Sequence, residues 1–158
     1  PGNANIDIGS SSGKRFKNVY AEVFDGVATS AQYADLAENY LADDSYEVGT
    51  VLIFGGDQEV TTTSLKGDTR VAGVVSENPA HLMNNALQGE HVTAVALTGR
   101  TPVKVIGIVQ KGDMLISSIT PGYAVRSTDP KVGTVIGKAL QNKTDAGEGV
   151  IEAVVGRV

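Results

Sequence analysis

The chain reads as a mainly β protein: a compact barrel- or clip-like β domain preceded by an extended β arm and a short helix. Three observations predict this. Val dominates the apolar positions and Trp is absent. Nineteen Gly are spread among the 158 residues, and many stand where a short apolar run ends. Branched side chains suit a pleated surface, and Gly suits tight turns and bulges. Hydrophobic residues make up 41% and charged residues 20% of the chain, which is enough to build a packed core.

The arm spans residues 1–34. Pro1-Gly2 reads as a cloning or protease scar, and the chain as a fragment of something longer. Asn5-Ile6-Asp7-Ile8-Gly9 alternates polar and apolar residues, Ser10-Ser11-Ser12-Gly13 is a turn, and 18–24 alternates again before Asp25-Gly26. A strand-turn-strand with so few large apolar groups is marginal alone. Packing on identical copies would stabilise it, which points to an oligomer.

A short linker helix is expected at about 30–42. Ala31, Ala34, Leu36, Ala37, Tyr40 and Leu41 have helical spacing, and Thr29 or Ser30 could cap it. The β domain occupies 35–158. Strands are expected at 51–54, 59–63, 71–75, 92–97, 103–109, 114–117, 123–125, 134–136 and 150–155, with turns at Gly55-Gly56-Asp57, Asn78-Pro79, Gly99, Lys111-Gly112-Asp113 and Pro121-Gly122. Residues 78–88 have the spacing of a second short helix, through Ala80, Met83, Asn84 and Leu87.

Self-similarity suggests two related β-units offset by about 64 residues. Gly49-Thr50-Val51-Leu52-Ile53 resembles Gly112-Asp113-Met114-Leu115-Ile116, and Val71-Ala72-Gly73-Val74 resembles Val135-Ile136-Gly137-Lys138. A Gly in mid-strand weakens the strand, so Gly73 and Gly137 should mark a bulge or a close backbone approach.

Several function classes are disfavoured. A net charge of −5 repels phosphate backbones, so no nucleic-acid partner is expected. The chain has no Cys, which excludes disulfides and thiolate metal sites. No apolar run approaches the roughly 18–20 residues of a membrane helix, so no membrane insertion is expected, and no signal peptide is recognisable. His81 and His91 stand ten apart without metal-ligand company and read as ordinary loop or strand-edge residues. Gly9 to Lys14 has one residue too few between its glycines for a phosphate loop, and Arg15 stands where Ser or Thr is needed. No cofactor and no metal are expected.

One constellation could carry chemistry. Asp35 and Glu38 are three apart, which on a helix puts both carboxylates on one face. Close carboxylates split their pKa values, so that one can hold a proton while the other is ionised. Such a pair can polarise a carbonyl and activate water. The same spacing also fits a solvated helix face.

Ala34-Asp35-Leu36-Ala37-Glu38, followed by Gly73-Val74-Val75-Ser76-Glu77-Asn78-Pro79 and the closing Val155-Gly156-Arg157-Val158, resembles the C-terminal domains of bacteriophage tail-fibre and neck-appendage proteins. Those domains belong to the intramolecular-chaperone, autoproteolytic family of glutamic-peptidase type. Segments 15–21 and 24–29 also resemble stretches that precede such domains. The resemblance implies a homotrimer in the virion, assembled in the host cytoplasm, whose partners are its own copies and the remainder of the fibre protein. It implies a scissile bond between Ala34 and Asp35, with Asp35 and Glu38 as the catalytic acids. Leu36 stands where the family has Tyr, so fold and trimer could persist without cleavage. Polar loops at 78–90 and 141–148 suit a host-surface receptor, which makes a non-proteolytic fibre tip the alternative.

Overall fold

A computed structural model describes residues 34–156. They form ten strands: β1 Ala34–Leu41, β2 Val51–Phe54, β3 Val60–Thr61, β4 Val71–Val75, β5 His81–Met83, β6 Val92–Ile106, β7 Met114–Ser117, β8 Ala124–Ser127, β9 Val135–Ala139 and β10 Glu148–Gly156. The β class therefore holds. The predicted arm, up to residue 33, lies outside the described residues.

Five strands close into a barrel. β6 pairs in parallel with β8 at Val105↔Ala124; β8 pairs with β7, β7 with β9, β9 with β10, and β10 returns antiparallel to β6. Val103, Val105, Leu115, Ile136, Ile151, Ala153 and Val155 point inward, none more than 4% exposed. Burying each large side chain contributes roughly 1.5–3 kcal/mol. The remaining strands extend the sheet from the other half of β6. β4 joins β6 to β2, β2 joins β3, and β1 lies along β6. A parallel bridge, Ala42↔Val60, brings the end of β1 to β3. Ala42, Leu52, Val60, Ala72, Val75 and Val95 form the core there, with Tyr40, Tyr46, Phe54 and Leu97 packed on it.

β4 and β9 make corresponding pairings. Leu52 faces Gly73 as Leu115 faces Gly137, and Ile53 faces Val71 as Ile116 faces Val135, with a register shift at the same step in both ladders. A side chain on Gly73 would strike the Ala96 carbonyl, and one on Gly137 the Val154 carbonyl. The mid-strand glycines thus mark both a bulge and a close approach.

Neither predicted helix is present among the described residues. Residues 34–41 are strand β1, although Ala, Leu and Glu favour helix. A short isolated helix is marginal in water, and β1 instead gains an eight-residue antiparallel ladder with β6, which overrides propensity. At 78–88, β5 pairs in parallel with β1 through Leu36↔His81, Ala37↔Leu82 and Glu38↔Met83. Asn84 then turns left-handed at φ 53° and ends that strand. The strands expected at 92–97 and 103–109 are one 15-residue strand, β6. Gly99 does not end it; the strand runs through it with φ at 111°.

Candidate functional site

Gly99 of β6 places the candidate site. Asp35 on β1 faces Gly99 across the β1–β6 ladder. A Cβ on Gly99 would collide with the Ala34 carbonyl and stand 2.6 Å from the Asp35 Cα. Only a residue without a side chain lets β6 lie this close to the Ala34–Asp35 peptide. On the opposite edge, the Ala80 N–H donates to the Asp35 carbonyl at 2.9 Å. Backbone thus approaches the Ala34–Asp35 peptide closely from β6, while the next peptide, through the Asp35 carbonyl, is held by Ala80.

Asp35 is 6% exposed. Its Oδ2 is buried and accepts no hydrogen bond among the described residues. An unsatisfied buried oxygen costs about 1–3 kcal/mol, more when charged. It borders a recess of about 300 Å³ that also takes in Ser76, Glu77, Asn78, Arg100 and Glu152. Glu77 and Arg100 are exposed at its rim, and Ser76 and Thr101 are buried. The recess is thus lined by the carboxyls of Asp35, Glu77 and Glu152, the Arg100 guanidinium and the Ser76 and Thr101 hydroxyls. That donor and acceptor set can hold a polar chain segment or polarise a carbonyl.

Glu38 is placed differently. Side chains of a strand alternate, so residues three apart point to opposite faces, with Cα atoms about 10 Å apart. Glu38 instead accepts from the Tyr40 hydroxyl at 2.8 Å on its own face. Within one chain the structure does not bring Asp35 and Glu38 together, because the helix that would have aligned them is a strand. The carboxylates that do share the recess with Asp35 are Glu77 and Glu152. Glu77 lies within the Gly73–Pro79 run, where a signal existed. Arg100 and Glu152 arrive only through the long-range pairings of β6 and β10, for which no local signal exists.

The other singled-out residues lie elsewhere. His81 is exposed on β5, and the His91 carbonyl accepts from the Ala42 N–H. Among the described residues no group of three or more His, Asp or Glu is arranged to hold a metal. The loop at 141–148 is held from within by Lys143. Its Nζ, on a side chain 7% exposed, donates to Asp145 Oδ1 at 2.7 Å and to the carbonyls of Asp145 at 2.8 Å and Gly147 at 2.6 Å. That ammonium holds the Asp145 carboxyl below the usual carboxylate range.

The fold and recess define an all-β domain built round a closed five-stranded barrel, with a strand-borne carboxylate at its edge. No family model and no curated protein matches the chain by sequence. Solved structures do share the fold. The pre-mature bacteriophage phi29 gene product 12 superposes with a TM-score of 0.62 at 14% identity, over 84% of this chain and 23% of that one. The C-terminal fragment of the same gene product superposes with a TM-score of 0.56 at 14% identity, over 78% of this chain and 100% of the fragment. This chain therefore spans about a quarter of the longer structure and the whole of the fragment.

Proposed function

We propose that this chain is a structural and assembly domain of a bacteriophage tail fibre or appendage, a homotrimer that caps the fibre in the virion. The observation that carries the reading is the fold, shared with the entire C-terminal fragment of a phage gene product. The ordered motifs that resemble tail-fibre and neck-appendage domains support it. The corresponding registers of β2–β4 and β7–β9 support reading the domain as two copies of one unit of about 64 residues. Size-exclusion chromatography with light scattering tests the assembly role. A trimer is expected, and a clean monomer at micromolar concentration overturns it.

One-time self-cleavage before Asp35 belongs to the same reading. The close approach of Gly99 to the Ala34–Asp35 peptide and the buried Asp35 carboxyl beside it are its support, together with the pre-mature state named for the phi29 protein. Because Glu38 faces away from Asp35, the pair would form only across two chains, or Glu77 or Glu152 would take the second role. Intact-mass spectrometry of fresh and aged protein decides. A chain that stays whole, indistinguishable from Glu38→Ala, Glu77→Ala and Glu152→Ala variants, removes cleavage and leaves the assembly role. A non-proteolytic receptor-binding tip is the second reading, favoured by the rigidly held 141–148 loop. Adsorption of the domain to host cells separates it from a purely structural role.

A further inference from the structure

We infer that the outward face of β9 and β10 around Val154 docks a second copy of this chain. The inference rests on the assembly reading and names the surface that serves it. Lys138 faces Val154 across β9 and β10, as Val74 faces Ala96 across β4 and β6. Met114 faces Lys138 as Val51 faces Val74. The two faces are thus built alike, yet they are covered differently.

Val51, Val74 and Ala96 are at most 1% exposed. Val51 and Val74 join the same buried cluster as Ile136, Ile151 and Val155 from the other half of the chain. Gly49, at the margin of that face, accepts from the Lys104 N–H at 2.8 Å, and a Cβ there would stand 3.3 Å from the Lys104 nitrogen. At the matching margin Gly112 has nothing within 4 Å of a Cβ. Val154 is 44% exposed, and Lys138 is exposed beside it. With Met114, Val135 and Leu140 they border an open, mainly apolar groove of about 680 Å³. Val150, 59% exposed, lies further along the same face of β10, with Glu152 between the two valines.

The fold thus shows what covers this kind of face: strands of the same fold. On the first half they come from within the chain, and on the second half they are missing, so a second copy is the occupant that can supply them. Charge agrees. Lys111 and Lys138 rim the groove and make no ion pair among the described residues, while each copy carries a net charge of −5. An open apolar groove with a charged rim is the kind of surface that marks an interface.

Sedimentation velocity over a wide concentration range tests the proposal, using wild type, Val154→Glu, Lys138→Glu and the control Val132→Glu. Val132 is 92% exposed and does not line the groove, and Val154 and Lys138 are exposed, so all variants should fold, as circular dichroism would verify. The expected result is that wild type associates, that Val154→Glu and Lys138→Glu weaken association more than about tenfold, and that Val132→Glu does not. Association unaffected by Val154→Glu overturns this face and leaves the assembly reading standing. Equal weakening by Val132→Glu also overturns it, since added negative charge would then explain the effect. A monomeric wild type overturns both.

Discussion

Replacing Asp68 by Asn should remove a pH-dependent part of the stability. Asp68 sits in the loop before β4, its side chain 2% exposed. It accepts from Arg70 Nη2 at 2.8 Å, Arg70 Nε at 3.0 Å, the Arg70 N–H at 3.0 Å and the Thr63 hydroxyl at 2.8 Å. Its own N–H donates to Ser117 Oγ at 2.8 Å, tying this loop to β7. The Arg70 hydrogen bond above all holds the carboxyl at about 2, against 3.8 when free. At 1.36 kcal/mol per pH unit that difference is worth about 2 kcal/mol. Arg70 is 56% exposed, so solvent screening trims the figure to about 1–2 kcal/mol.

The sign follows from the depressed folded-state value. The stabilisation is complete above the unfolded pKa and is lost as pH falls from 3.8 toward 2. Urea unfolding of wild type and Asp68→Asn should therefore differ by about 1–2 kcal/mol at neutral pH, and the gap should narrow steadily below pH 4. A gap as wide in strong acid as at neutrality, or none at neutrality, refutes the reasoning.

Other substitutions test the framework. Gly99→Ala forces a side chain into a left-handed position against the Ala34–Asp35 peptide; it should lower stability by at least about 2 kcal/mol and speed hydrogen exchange along β1. Gly137→Ala should destabilise by a similar amount through the Val154 carbonyl, whereas Gly112→Ala, with open space around it, should lose only about 1 kcal/mol of backbone strain in thermal unfolding. Lys143→Met removes the ammonium from the Asp145 and Gly147 carbonyls, of which Gly147 keeps its bond from the Gly107 N–H, and the exposed Asp145 is rehydrated; an expected loss of about 1–2 kcal/mol should appear with faster proteolysis of the 141–148 loop.

The β domain was readable where local pattern and burial agree. Val51–Phe54, Val71–Val75 and Met114–Ser117 are runs of branched or long apolar residues bounded by turn residues, and each is a strand with the bounds that pattern implies. Gly73 and Gly137 announced close approaches because a mid-strand Gly has few other uses. β1 and β5 were misread because Ala, Leu, Glu and Met favour helix, and their strand character comes wholly from pairing with each other and with β6. Gly99 looked like an end because a turn and a tight crossing both call for Gly, and only the neighbouring strand distinguishes them. At the site, Asp35 stood out by motif. Arg100 and Glu152 were silent, since a residue that reaches the recess through a ladder partner 50 or more positions away leaves no local trace.

Native mass spectrometry of the intact chain counts subunits and reads covalent length in one spectrum. The account predicts an assembly of about 49 kDa, three times the 16.4 kDa of one chain. A spectrum holding only 16.4 kDa species, at concentrations where a fibre domain would be assembled, contradicts it.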